Sequence, residues 1–173
     1  MASLHTPLAL SQLVLRLLLI ANFVYGAAIV AGLIASLAAE VSFMTALGIP
    51  PSPETEAQIH AMRLIAVLGL LAVPLYYVML KGLLAIVDSV RAGDPFVAAN
   101  AAHLKTIAWA LLGVQLLSLA ISFIARSVST EAHPLELSAG FSTGAWLAVV
   151  LLFVLARVFA EGTRMRDDLA GTV

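Results

Sequence analysis

Charge is scarce in this sequence: nine Lys and Arg stand against ten Asp and Glu in 173 residues, a net charge of −1. Soluble domains carry about a quarter of their residues as charged side chains. Here 11% are charged and 62% hydrophobic, too little charge to cover a water-facing surface. Without a basic surplus, direct nucleic-acid binding is excluded, because phosphate contacts need clustered Lys and Arg. Cysteine is absent altogether, which rules out disulfides, thiolate nucleophiles, Cys-ligated zinc and iron–sulfur clusters. No Asp or Glu falls in the middle of a long apolar run. The mid-membrane ionisable group typical of proton-coupled transporters is therefore missing.

What the chain has instead is four apolar runs, Leu17–Ala39, Leu64–Leu80, Ile107–Ile124 and Ala139–Ala156. A helix needs about 20 apolar residues to cross a bilayer, so these runs predict spans of about 13–39, 62–81, 105–125 and 139–160. The last reaches 160 if Arg157 snorkels to the interface. The first run is longer than the apolar core of a secretory signal, and no Lys or Arg precedes Arg16. It is expected to be a retained span, although Ser36-Leu37-Ala38-Ala39 imitates a small-residue cleavage site. The expected fold is all-α: one four-transmembrane-helix bundle over residues 1–173. Arg16, Lys81, Arg91, Lys105, Arg157, Arg164 and Arg166 flank one side, and only Arg63 and Arg126 the other. The positive-inside rule then places both termini and the middle connection in the cytoplasm.

Local signals refine this plan. In Pro50-Pro51-Ser52-Pro53, Ser52 is placed to cap a helix whose first residue is Pro53. That helix is expected to run through Glu56, His60 and Arg63 into the second span, with a kink at Pro74. Past Lys81, Leu83, Leu84, Val87 and Val90 share one helical face, and Asp88 and Arg91 the other, an amphipathic extension. Gly93 is placed to end it in a left-handed conformation. Asp94 is expected to cap the third helix, with Pro95 at its first position, so that helices two and three meet in a tight cytoplasmic turn. Small residues recur every four positions at Gly140, Gly144 and Ala148 and at Ala28, Gly32 and Ser36, a pattern that lets helices approach closely.

Few residues offer chemistry. Asn22 lies deep in the first span, and Gln115, Ser118 and Ser122 share one face of the third. Such groups need partners in lipid, and interhelical hydrogen bonding is a commoner role for them than lining a cavity. Glu54, Glu56, His60, Glu131, His133 and Glu136 have metal-ligand chemistry but only a loose pattern, and solvated loops carry the same residues. No nucleophile elbow, phosphate loop or H-E-x-x-H helix occurs. No catalytic residue, metal site or cofactor is expected, and the chain reads as a non-enzyme.

Gly93-Asp94-Pro95-Phe96-Val97-Ala98-Ala99-Asn100, followed by His103-Leu104-Lys105 and a run to Trp109, resembles a family of bacterial four-span membrane proteins of unknown function. Members share a G-D-P-F loop, an Asn soon after it, and a basic-apolar run ending near a Trp. The ending Glu161-Gly162-Thr163-Arg164-Met165-Arg166, with Asp167-Asp168-Leu169 beyond it, is similar to that family's E-G-x-x-[LM]-[KR] motif. Met165 stands where Leu is common, and His103 and Lys105 where Arg is frequent.

The resemblance covers the second span to the C-terminus and implies the bacterial cytoplasmic (inner) membrane. It also implies an association, since such genes often lie beside one for a small Cro/CI-type helix-turn-helix regulator. The expected function is that of a sensor or regulatory partner of a cytoplasmic DNA-binding regulator. Gly93, Asp94, Pro95, Phe96, Arg164 and Arg166 are the expected contacts. The alternative is a small transporter or lipid/small-molecule binder built around Asn22 and Gln115. The bilayer is the first partner in either case, and a homo-oligomer is compatible with both.

Overall fold

In hydrocarbon every backbone N–H and C=O needs a partner within the protein, and a helix supplies those partners locally. The long apolar runs accordingly fold as helices. The computed structural model describes residues 5–40, 42, 53–129 and 140–170. Its main elements are α1 (His5–Ala38), α2 (Pro53–Arg91), α3 (Ala98–Val128) and α4 (Thr143–Ala170), and no strand occurs among the described residues. Even the shortest, α4 at 28 residues, measures about 42 Å at 1.5 Å per residue, against a core of about 30 Å. All four are long and apolar enough to cross a membrane. The protein is an all-α, multi-pass membrane protein.

The helix ends differ in part from expectation. α2 does begin at Pro53 and runs on past Lys81 to Arg91, passing through Pro74; Ser52, its expected cap, lies outside the described residues. The fourth helix is expected from 139, also outside them, whereas α4 starts at Thr143. Its cap is Ser142, whose hydroxyl accepts the Ala145 N–H at 3.4 Å. At its other end α4 continues to Ala170, so the E-G-x-x-M-R segment is helical.

Burial is inverted relative to a water-soluble fold. On α1 the buried positions are Asn22, Gly26 and Ser36, while Leu10, Ile20, Val24 and Leu37 are more than 60% exposed. Polar and small groups turn toward protein, where they find hydrogen bonds and close contacts; large apolar ones turn outward, where lipid accepts them at no cost.

The contacts divide the chain into two units. The first comprises the chain up to Asn22, Leu75–Gly113, and Ser142 onward; the second comprises Phe23–Pro74 and Val114–Phe141. In the second unit, Gly26 packs against Val73, whose methyl groups would lie 3.3 Å from an added Cβ. Arg63 Nε donates to Ser36 Oγ at 3.2 Å, and its Nη2 donates to the Ser36 carbonyl and to Glu40 Oε2 at 2.9 Å. Carbonyls in the last turn of a helix lack helical partners, and Arg63 supplies one to α1. Gln58 does the same for α3, donating to the Val128 carbonyl at 3.1 Å.

Ser118 and Ser122, expected on one face of α3, both meet Gly140 in this unit. The Gly140 N–H donates to Ser118 Oγ at 3.1 Å, and Ser122 Oγ sits 3.3 Å from where a Cβ would be. With φ at +148°, Gly140 holds a conformation that other residues rarely adopt.

The small-residue stripes pack only in part: Ser36 and Gly140 meet neighbouring helices. No described residue lies within 4 Å of a Cβ built on Gly32 or Gly144. The close approaches in the first unit fall instead at Gly82, where an added Cβ would lie 3.1 Å from Ile107, and at Gly113, 3.1 Å from Leu75.

Candidate functional site: the Gly93–Asn100 corner and the end of α4

The corner is built from the end of α2. Gly93 adopts φ +84°, and its N–H donates to the Val90 carbonyl at 3.1 Å. The Asp94 N–H reaches the Ser89 carbonyl, also at 3.1 Å. These are the paired backbone bonds of a left-handed helix terminus, and Gly adopts that conformation without a Cβ clash. Expectation and structure agree on Gly93 and diverge at the next residue. Asp94 does not cap α3, and Pro95 is not its first residue, because residues 94–97 are non-helical and α3 begins at Ala98.

Asp94 faces the end of α4 instead. Arg166 Nη1 donates to Asp94 Oδ1 and Nη2 donates to Oδ2 at 3.1 Å, a two-pronged ion pair. The same Nη1 donates to the Phe96 carbonyl at 3.2 Å. A planar guanidinium matches a carboxylate in this way, and Lys offers no such fork. The Arg166 hydrogen bond lowers the Asp94 pKa below its ordinary 3.8; desolvation opposes this, and the guanidinium charge adds to the lowering.

The Phe96 ring stacks on Phe159 with centroids 5.4 Å apart and planes at 27°, near Gly162, where an added Cβ would sit 4.0 Å from the ring. Thr163, buried at 6% exposure, donates its hydroxyl to the Phe159 carbonyl at 2.8 Å. The ring nevertheless remains 49% exposed. The ring thus packs one side on α4 and presents the rest of its surface outward.

The corner is pinned from beneath by a residue absent from the expected contacts. Asn100 is 1% exposed. Its Nδ2 donates to Ser89 Oγ at 2.6 Å and to the Pro95 carbonyl at 2.8 Å, and Ser89 Oγ donates onward to the Ile86 carbonyl at 2.8 Å. One amide thus ties the last turn of α2, the loop and the first turn of α3 together. Its sequence signal is the Asn that follows the G-D-P-F motif. On the α1 side, Gln12 donates to Asp88 and accepts from Arg91, so the polar face of the α2 extension is engaged. On its apolar face Leu83 and Val90 stay exposed, and Leu84 and Val87 are half-buried.

Of the expected contacts, Asp94, Phe96 and Arg166 meet, with Gly93 and Pro95 shaping the loop. Arg164 stays on its own helix, 3.7 Å from Glu161 and 74% exposed. Asn22 and Gln115 are both buried but belong to different units. Two grooves in the first unit are lined by neither of them. Of the loose metal-type residues, Glu56 and His60 are exposed on α2. The other four side chains fall outside the description, and no group of three or more His, Asp or Glu suited to a metal occurs among the described residues.

No curated protein and no solved structure matches the chain. A family model does match, over residues 32–173, and its description is a protein of unknown function. That segment contains both the Gly93–Asn100 corner and the α4 end that clamps it. The chain belongs to the DUF2975 family, whose function is unknown.

Proposed function

We propose that this protein is a non-enzymatic, four-span protein of the bacterial inner membrane that acts as the regulatory partner of a cytoplasmic protein. The partner's class comes from the resemblance, which points to a small helix-turn-helix regulator encoded nearby. The single observation that carries the reading is the clamp. Two segments 70 residues apart are locked together by Arg166 on Asp94 and on the Phe96 carbonyl, and they hold an exposed aromatic ring in place. Exposed aromatic residues fixed before binding lose little entropy on association and commonly anchor interfaces. The positive-inside orientation puts this corner on the cytoplasmic side.

The test is co-purification of the full-length protein from native membranes with the neighbouring regulator. Wild type should retain it, Phe96→Ala should lose most of it, and Arg166→Gln should weaken retention by releasing the loop. Absence of any interaction, together with a Phe96→Ala strain whose target-gene expression matches wild type, would sink the reading.

A further inference from the structure

A groove of about 360 Å³ lies between the first turns of α3 and the later turns of α4. It is lined by Lys105, Arg157 and Phe153 together with Ala101, Ala102, Ala156 and Ala160. Among the described residues, no Asp or Glu contributes to the lining. Both cations are exposed, and neither forms an ion pair with a described residue. The nearby Glu161 is directed to Arg164 at 3.7 Å.

Depth follows from the sequence. Lys105 precedes the apolar run of α3, and Arg157 follows that of α4, so the two cations lie at the same border of the hydrocarbon. One turn further into each run, Trp109 and Phe153 meet edge to face with centroids 5.2 Å apart. Trp109 remains 58% exposed, as expected of an indole at headgroup level.

We propose that this groove binds an anionic phospholipid. The phosphodiester would sit between the Arg157 fork and the Lys105 ammonium, and the glycerol and upper acyl chain would lie against the lining alanines and Phe153. Charge complementarity commits the groove to this occupant: two cations with no counter-ion among the described residues border an apolar trough at the depth where lipid phosphates lie. Basic pockets between helices at this level are suited to such headgroups.

The test is native mass spectrometry of the full chain in detergent, titrated with phosphatidylglycerol or with phosphatidylcholine of the same acyl chains. Wild type should retain phosphatidylglycerol preferentially. The double variant Lys105→Gln, Arg157→Gln should lose that preference by about tenfold or more, from roughly fivefold per basic residue. Arg164→Gln, outside the groove, should keep it. Equal retention of both lipids by wild type, or unchanged preference in the double variant, overturns the proposal. Millimolar glycerol 3-phosphate should leave the adduct intact; if it displaces the lipid, the groove takes soluble phosphates and the lipid assignment fails. A second measurement needs no variant: phosphatidylglycerol should raise the unfolding temperature of wild type more than phosphatidylcholine does, and equal shifts refute the site.

Discussion

Asp94 and Arg166 stand 72 positions apart in the chain and meet as a two-pronged ion pair, with Nη2 3.1 Å from Oδ2. The pair joins the loop after α2 to the last turns of α4, the two segments that carry the family resemblance. Exposed pairs contribute little to stability on their own. The consequence of this one is positional, because it fixes the loop that bears Phe96.

The pH dependence of the clamp follows from the direction of the Asp94 shift. Its carboxyl is held below 3.8 in the folded protein, so the contribution is fully present above the unfolded value and lost as pH falls through the folded one. The difference in unfolding temperature between wild type and Asp94→Asn should be constant above about pH 5 and shrink as pH falls below about 4. Thermal scans in detergent across that range measure it. A difference that grows on acidification would contradict the assignment.

Asn100 should be the most sensitive residue of the corner. Asn100→Ala leaves Ser89 Oγ and the buried side of the Pro95 carbonyl without their donor, a loss of about 2–4 kcal/mol. Ser89→Ala removes only one of these bonds and should cost about 1 kcal/mol. Unfolding midpoints in detergent rank the two, and equal effects would mean that the amide does not hold the loop.

Gly93 separates conformational strain from packing, since no described residue lies within 4 Å of its added Cβ. Gly93→Ala should cost about 1–2 kcal/mol through the left-handed backbone alone. Gly93→Asn should cost less, because Asn tolerates that region. An Asn variant as unstable as the Ala variant would point to a steric cause instead.

The glycines of the helices should divide by contact rather than by motif. Gly82→Val drives a side chain into Ile107, which is 2% exposed, and should destabilise by about 1–3 kcal/mol. Gly144→Val meets no described residue and should leave the unfolding of the single chain nearly unchanged. If Gly144→Val instead changes the particle size in detergent, that face contacts a second copy.

Much of this architecture was legible in the sequence. The four apolar runs, the start of α2 at Pro53, its continuation past Lys81 and the stop at Gly93 all depend on near neighbours in the chain. Capping at Asp94 was legible only as a local preference. Asp favours a helix N-terminus wherever a donor is free, but the Arg166 fork offers a charged partner from the far end of the chain, and it takes the carboxylate. The small-residue stripes were legible only in part, for a similar reason: Gly140 meets Ser118 and Ser122, while Gly32 and Gly144 meet no described residue. Spacing shows that small residues share a face, yet whether the face meets protein or lipid depends on which helix lies opposite.

By itself, the sequence determined that this is a four-helix membrane protein and where its corner turns. Hydrophobic length, Pro and Gly act within a few residues, and a bilayer leaves helices as the local solution for the backbone. Only the tertiary structure decided that Asp94 belongs to Arg166, that Asn100 pins the loop, and that Lys105 and Arg157 border one groove. Those pairings join residues 52 to 72 positions apart, or place an amide inside a turn. Their partners are selected by packing geometry, which periodicity along a single helix does not encode.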